Sequence, residues 1–188
     1  MKLYTNKMAA VKTNPQISLR PQDLVILLRL SLEDGPAPTY AVLADELCLT
    51  ASEIHAGVKR AEAAQLLHKD PAGKAIVIKE ALRLFVQHGA RYAFPATRGS
   101  ESRGMPTSYA AAPLVDKIVA GNSHLPVWPY KGGSARGVAF YPLYPSVPQA
   151  AMRNPALYEL LVLFDAVRGG SPRERALAIA MLDERLKA

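Results

Sequence analysis

The stretch YAVLADELCLTASEIHAGVKRAEAAQLL, from Tyr40 to Leu67, decides the fold of this chain. Its small and branched residues recur at intervals of three and four, the period of a helix that buries one face. The pattern is interrupted once, around Cys48. The stretch therefore predicts two short helices joined by a tight turn, a helix-turn-helix.

The inward face of the second helix follows from its spacing. Ile54 and Val58 lie four residues apart, and Ala61 continues their stripe. Such residues share one helical face, so all three are predicted to point toward the first helix. Ala44 falls where the first helix must let its neighbour approach closely.

A capping box marks the start of the second helix. Thr50 is followed three residues later by Glu53, a spacing that lets each side chain bond the other residue's backbone N–H. The helix is therefore predicted to begin at Ala51. Successive residues of a helix are rotated by about 100°, so burial of this stripe places other residues on the outward face. These are Ser52, Ala56, Lys59 and Arg60, with His55 at the edge.

A β-hairpin is predicted directly after this helix. Residues 66–69 and 75–78 flank Asp70-Pro71-Ala72-Gly73. Proline at the second turn position and glycine at the fourth are typical of a type I turn. Lys69 and Lys74 flank this turn and are candidates for contact with a DNA backbone.

The order helix, helix-turn-helix, hairpin resembles the winged-helix regulators of bacteria, in the style of the multiple-antibiotic-resistance repressor and leucine-responsive regulator families. Those families carry Leu-Ala-x-x-Leu-Gly-Leu-Ser-x-Ser-x-Val before a Leu-Lys-Arg-Leu-Glu-like helix end, and residues 43–54 and 58–62 match it closely. Cys48 departs from the pattern, standing where a glycine is usual at a site that often needs positive φ. The resemblance covers about residues 20–80.

The resemblance implies a DNA-binding transcription regulator, dimeric, that uses residues 51–63 as a recognition helix in the major groove of double-stranded DNA and residues 68–78 as a wing. Side chains that bond base edges and phosphates are the expected contacts. The predicted contact residues are Thr50, Ser52, His55, Ala56, Lys59, Arg60, Lys69 and Lys74. A protein-interaction module, antitoxin-like or an adaptor, whose winged helix is not used for DNA is the alternative.

Charge is unevenly distributed along the 188 residues, whose formal net charge is +7. Residues 31–80, which hold the helix-turn-helix, carry five basic and eight acidic side chains. Residues 81–150 carry seven basic and two acidic side chains. Attraction to phosphate must then come from the basic N-terminus, the hairpin lysines and the middle segment, and the acidic region favours the protein-docking alternative.

Four regions are predicted in a mainly α, α+β fold. Residues 1–19 are predicted to be a flexible basic tail and residues 20–90 a winged helix-turn-helix domain. Residues 91–150 hold eight of the fifteen prolines and are predicted to be an irregular Pro/Gly/Arg-rich module. Residues 151–188 are predicted to form a C-terminal helical hairpin.

The flanking helices follow from their stop and start signals. A helix from Pro21 to about Leu32 is apolar all round at residues 24–28, so it is predicted to be buried under the helix-turn-helix. The resemblance implies that this helix also forms part of a dimer contact. A second runs from Lys79 to His88 and ends at Gly89. In the C-terminal hairpin, Asn154-Pro155 opens one helix to Val167, and the capping box Ser171-Pro172-Arg173-Glu174 opens the next.

The middle segment offers a second candidate surface. A helix is predicted over residues 108–120, and residues 98–104 and 131–137 are interpreted as two basic loops able to cradle an anion. The aromatic and proline residues of the segment predict either an effector pocket, a surface that docks a protein partner, or the core of a loop-rich module. They are Trp128, Tyr130, Phe140, Tyr141 and Tyr144 with Pro126, Pro129, Pro142 and Pro145.

Enzymatic, metal and membrane functions are not indicated. The four histidines show no ligand spacing with one another or with the single cysteine, Cys48. No cofactor motif or catalytic cluster occurs, and no apolar run approaches the roughly 20 residues of a membrane helix. The N-terminal lysines precede no apolar stretch of signal-peptide length, so the cytoplasm is the expected compartment.

Overall fold

The computed structural model describes residues 16–33, 37–118 and 125–187. Over these residues the protein is a mixed α+β structure, about 53% helical. Residues 1–15 of the predicted basic tail lie outside the described residues. None of the described helices combines the length and the apolar character that crossing a bilayer requires.

The first helix, α1 (Pro21–Leu30), is enclosed by the rest of the chain. It ends two residues before the predicted Leu32. Its apolar residues 24–28 have no solvent exposure, because α1 packs against the helix-turn-helix and against a C-terminal helix. The predicted burial of these five side chains is therefore confirmed, and the dimer contact of this helix stays a prediction that would have to use its other residues.

The helix-turn-helix stretch folds as two helices, α2 (Tyr40–Leu47) and α3 (Ala51–Ala63). Cys48 ends α2 in the left-handed conformation, with φ 52, which confirms the positive φ expected at this turn position. Because the residue at this position is cysteine and carries a Cβ atom, the left-handed conformation strains the backbone of the turn. The predicted inward stripe is confirmed, because Ile54, Val58 and Ala61 are fully buried.

The predicted hairpin is confirmed as the antiparallel pair β1 (Leu67–Lys69) and β2 (Ala75–Val77). The backbone N–H of Gly73 donates to the carbonyl of Asp70 at 2.9 Å, closing the turn. Gly73 has φ +79, a conformation that glycine adopts without steric cost. The Asp70 carboxylate also accepts from the Lys74 N–H at 2.8 Å.

The helix after the hairpin is longer than predicted. It runs as α4 (Lys79–Leu84), continues through a π-helical turn at residues 85–89 and ends as α5 (Ala90–Ala93). Gly89 does not stop it. The buried side chains of Leu82, Val86 and Ala90 hold this segment in the core, so tertiary packing overrides the local preference of glycine for a helix end.

The prediction of an irregular middle segment is wrong. Its strands β3 (Arg98–Pro106), β4 (Pro126–Pro129) and β5 (Ala135–Phe140) form a small closed sheet. β3 pairs antiparallel with both other strands, and β4 pairs parallel with β5. Residues 98–104, interpreted as a basic loop, are β3, and residues 131–137 form the β4–β5 turn and the start of β5.

Glycines allow this sheet to close. A Cβ on Gly104 would overlap the carbonyl of Trp128, and one on Gly137 would overlap the carbonyl of Leu125. The strand backbones therefore approach more closely than any larger residue permits. The glycines that suggested flexible loops are positions of tight backbone packing.

The helix predicted over residues 108–120 is also absent from its described part. A 3-10 turn at Ser108–Ala110 is followed by turns up to residue 118.

The C-terminal helical hairpin is confirmed. After α6 (Val147–Arg153), α7 (Pro155–Gly169) begins with an Asn154 cap and α8 (Pro172–Leu186) with the predicted Ser171 capping box. α7 packs against α1, α5, α6 and α8. One continuous cluster of buried apolar side chains extends from Leu24 to Leu186.

A buried polar network joins the closed sheet to α7. The Asp165 carboxylate, fully enclosed, accepts from the Thr107 hydroxyl at 2.7 Å and from the Trp128 indole N–H at 2.6 Å. Arg168 donates to its other oxygen at 2.8 Å. Such a network is stable only because each buried polar atom has a partner.

Replacing Gly104 by alanine is expected to lower the free energy of unfolding by about 3 kcal/mol or more, because the new methyl group meets a backbone carbonyl that cannot move aside. Urea denaturation followed by circular dichroism measures this. Gly132→Ala is the matched control, since the nearest atom to its Cβ is on the Tyr130 side chain, which can rotate away. Equal losses in the two variants would contradict the close-packing argument.

Candidate nucleic-acid interface

The outward face of α3 presents a strip of polar side chains to solvent. Ser52, His55 and Lys59 are exposed, and Ala56 between them is half-buried. The His55 ring lies against Tyr40 of α2, with ring centroids 6.0 Å apart. The strip predicted from helical periodicity is therefore accessible at these four positions.

Arg60 does not belong to that strip, and its predicted outward orientation is wrong. Its guanidinium lies against Asp23 of α1, with Nη2 2.6 Å from Oδ1 and Nε 2.7 Å from Oδ2. The Arg60 side chain is 16% exposed and that of Asp23 is 0% exposed. A carboxylate this deeply buried requires a charged partner, so the arginine bends toward the helix interface and away from solvent.

The ion pair sits where α1 and α3 approach most closely. A Cβ on Gly57 would lie 2.6 Å from Cδ1 of Ile26 and 2.9 Å from Oδ1 of Asp23. The hydrogen bond to Asp23 also raises the pKa of Arg60 above its ordinary value. Asp23 additionally accepts from the Arg20 N–H at 2.8 Å, capping α1. One carboxylate thus joins the start of α1 to the last turn of α3.

The start of α3 is held by the predicted capping box. The Thr50 N–H donates to the Glu53 carboxylate at 2.8 Å, and the Glu53 N–H donates to the Thr50 hydroxyl at 3.2 Å. The backbone and hydroxyl bonds from Thr50 lower the pKa of Glu53 below its ordinary value. Tyr144, beyond the closed sheet, donates to the same carboxylate at 3.3 Å. The Thr50 hydroxyl is therefore occupied within the chain.

The two hairpin lysines differ. Lys74 is exposed beside the turn, while the Lys69 ammonium lies 3.5 Å from the Glu62 carboxylate of α3. An ion pair this exposed is weak and is screened by salt, so Lys69 keeps much of its capacity to meet a phosphate.

The acidic side chains around the helix-turn-helix are engaged within the chain. Glu46 accepts from Arg29 of α1 at 2.8 Å. Asp45, whose side chain is 85% exposed, lies 3.3 Å from Arg153 of α6. Lys59, by contrast, has no ion pair with another described residue. The acidic count of residues 31–80 therefore overstates the negative charge that an approaching phosphate would meet.

A basic cleft adjoins the C-terminal end of the strip. It encloses about 270 Å³ between the segment before α1 and the side of α3. Its lining residues are Gln16, Ile17, Ser18, Arg20, Lys59 and Arg60. Nothing in the local sequence pattern pointed to Arg20, because its position beside α3 depends on how α1 packs.

The aromatic and proline cluster of residues 126–145 divides in two. Trp128 and Phe140 are buried core residues. Tyr141, 49% exposed, lines an open groove of about 380 Å³ with three prolines, Pro129, Pro142 and Pro145. The cluster therefore contributes both to the core and to an exposed groove.

No group of three or more histidine, cysteine or acidic side chains with the geometry of a metal site occurs within residues 16–33, 37–118 and 125–187. Comparisons with known proteins found no matching family model, no similar curated protein and no similar solved structure.

Arg60→Ala is expected to lower the free energy of unfolding by about 3 kcal/mol, because it leaves a buried carboxylate without its charged partner. Lys59→Ala, one residue away on the exposed strip, is expected to change it by less than about 0.5 kcal/mol. Urea denaturation of both variants measures the difference. If Arg60→Ala cost as little as Lys59→Ala, the ion pair would not hold α1 against α3.

The pKa of Glu53 predicts a pH dependence. Because the folded state lowers this pKa, the cap stabilises the fold above the ordinary value of 4.5 and loses that contribution as the carboxylate takes up a proton at lower pH. Glu53→Gln is therefore expected to be less stable than the native chain at neutral pH and to approach it as the pH falls below 4.5. Thermal unfolding over this pH range measures the convergence. A stability difference independent of pH would contradict it.

Proposed function

We propose that this protein is a sequence-specific DNA-binding transcription regulator of winged-helix type, which places α3 in the major groove and the β1–β2 hairpin alongside as a wing. The observation that carries the proposal is the exposed strip of Ser52, His55 and Lys59 on a helix fixed at its start by a capping box and in its last turn by a buried ion pair. A rigid helix with an accessible polar face has the form that base readout requires.

Each residue of the strip has a chemically distinct role. Ser52 and His55 carry hydroxyl and imidazole groups able to bond base edges, and Ala56 offers a methyl group for contact with thymine. Lys59 supplies a point charge for phosphate or guanine. Lys74 and Lys69 on the hairpin would contact the backbone beside the groove. Arg60 is removed from the contact set, because its guanidinium is committed to Asp23.

A two-fold dimer is part of the proposal, with half-sites about one helical turn apart. Since residues 24–28 of α1 are covered within the chain, the second copy must dock on other residues. A palindromic footprint on the DNA upstream of the gene would support the dimer. Protection of one half-site alone would support a monomer.

Removing the exposed lysines is expected to weaken duplex binding, because each variant loses a contact with a backbone phosphate. Lys59→Ala and Lys74→Ala should each make the dependence of log K on log salt concentration shallower by about 0.9, the value of one lost phosphate contact. Fluorescence anisotropy with a labelled duplex at several salt concentrations measures this. Lys187→Ala, an exposed lysine beyond α8, is the matched control. If both variants kept the native slope, DNA would not contact α3 and the hairpin.

A protein-docking function is the second candidate, because the open groove beside Tyr141 presents an aromatic ring and three prolines to solvent. A surface of this composition suits the contact of a partner protein. Tyr141→Ala would then abolish stoichiometric co-purification with that partner and leave duplex binding unchanged. Co-purification unaffected by this variant would exclude the groove as the docking surface.

A further inference from the structure

The closed sheet carries a concentration of positive charge away from α3. Among residues 98–106 and 125–140, four side chains are basic and one is acidic: Arg98, Arg103, Lys131 and Arg136 against Glu101. Arg98 is engaged at one end, where it donates to the carbonyl of Gly169 at 2.9 Å. The remaining three cations lie toward the opposite end of the sheet, at the β4–β5 turn.

Two of these cations face each other across neighbouring strands. Arg103 of β3 is paired in register with Arg136 of β5, and both side chains are exposed. Residues directly opposite in an antiparallel pair share a face, with Cβ atoms about 5 Å apart. Like charges in this position repel each other and destabilise the sheet. The arrangement becomes favourable when an anion lies between the two guanidinium groups.

A hydrogen bond also fixes the orientation of the Arg103 guanidinium. Its Nε donates to the carbonyl of Gly133 at 2.9 Å, which holds the guanidinium against the β4–β5 turn. Neither Arg103 nor Arg136 forms an ion pair with another described residue. Glu101 lies two residues before Arg103 on the same face and opposite Val138. One carboxylate against Arg103 and Arg136 leaves the face positively charged.

The sheet is attached close to the start of α3. Tyr144, eight residues after Arg136, donates to Glu53 in the α3 capping box. Eight residues span at most about 29 Å. This is less than one turn of B-DNA, about 34 Å. A duplex of about three helical turns in contact with α3 is longer than this distance.

We propose that the Arg103–Arg136 face of the closed sheet is a second anion-binding surface, which contacts the phosphate backbone of duplex DNA beyond the recognition helix. This inference rests on the proposed DNA-binding function and extends its footprint. The contact is independent of sequence, because guanidinium groups on a phosphate read no base edge.

Salt titration of duplex binding tests the surface. The probe is a fluorescently labelled random-sequence duplex of about three helical turns, titrated into the full chain at several potassium chloride concentrations. Arg136→Gln is expected to make the dependence of log K on log salt concentration shallower by about 0.9, and the double variant Arg103→Gln with Arg136→Gln by about 1.8. Arg173→Gln, an exposed arginine in the first turn of α8, is the matched control and should keep the native slope.

The single variant separates binding from folding. Arg136→Gln removes one of two repelling charges, so it should not lower the midpoint of thermal unfolding. Arg103→Gln also removes the bond to Gly133, and its unfolding midpoint is measured alongside. A native slope in Arg136→Gln and in a folded double variant, or no binding of the duplex at low salt, would overturn the proposal.

Lys59→Ala in the same titration distinguishes this inference from the proposed function. A native slope in Lys59→Ala with a shallower slope in Arg136→Gln would retain the sheet surface and reject α3 as the DNA-contacting helix. The reverse result would retain α3 and reject the sheet surface.

Discussion

The ion pair between Asp23 and Arg60 is the constraint on which the orientation of α3 depends. The carboxylate is fully buried at the start of α1, and the arginine reaches it from the last turn of α3. A charge removed from water is tolerated only beside a partner with good geometry, so the two helices have one arrangement that satisfies both groups. Gly57 makes that arrangement possible by letting the helices approach. The exposed strip of α3 takes its direction from this contact.

A second buried carboxylate performs a similar role in the other half of the chain. Asp165 on α7 is enclosed by Thr107, Trp128 and Arg168, which connect the closed sheet to the helical core. Apolar packing alone is not directional, whereas a hydrogen-bonded carboxylate specifies which atoms must meet. Over the described residues, the fold therefore combines one continuous apolar core with buried polar joints, among them one at α1 and α3 and one at α7 and the sheet.

Pairing within the chain also offsets part of the acidic excess of residues 31–80. Glu46 accepts from Arg29 and Glu53 accepts from the Thr50 N–H, whereas Lys59 and Lys74 remain exposed. The net charge of a segment thus predicts the electrostatic potential at its surface less well than the pairing of its individual charges does.

Local features of this protein could be predicted because they depend on neighbours within about four residues. The capping boxes at Thr50 and Ser171, the turn before Gly73 and the inward stripe of α3 all have this range, and each is present in the structure. Helical periodicity also predicted the exposure of Ser52, His55 and Lys59 correctly. It was wrong for Arg60, because a long side chain follows its nearest buried charge rather than the direction of its Cα–Cβ bond.

What the sequence by itself determined was the helices α1, α2, α3, α7 and α8, the hairpin and the exposed strip, since hydrogen bonds and burial along one element impose those patterns. Only the tertiary structure decided that Arg60 binds Asp23, 37 residues away, and that the Gly- and Pro-rich segment closes into a sheet. Those outcomes depend on which distant backbones and charges come together. The energy of a buried ion pair or of close strand packing leaves no periodic signal in either partner's own segment.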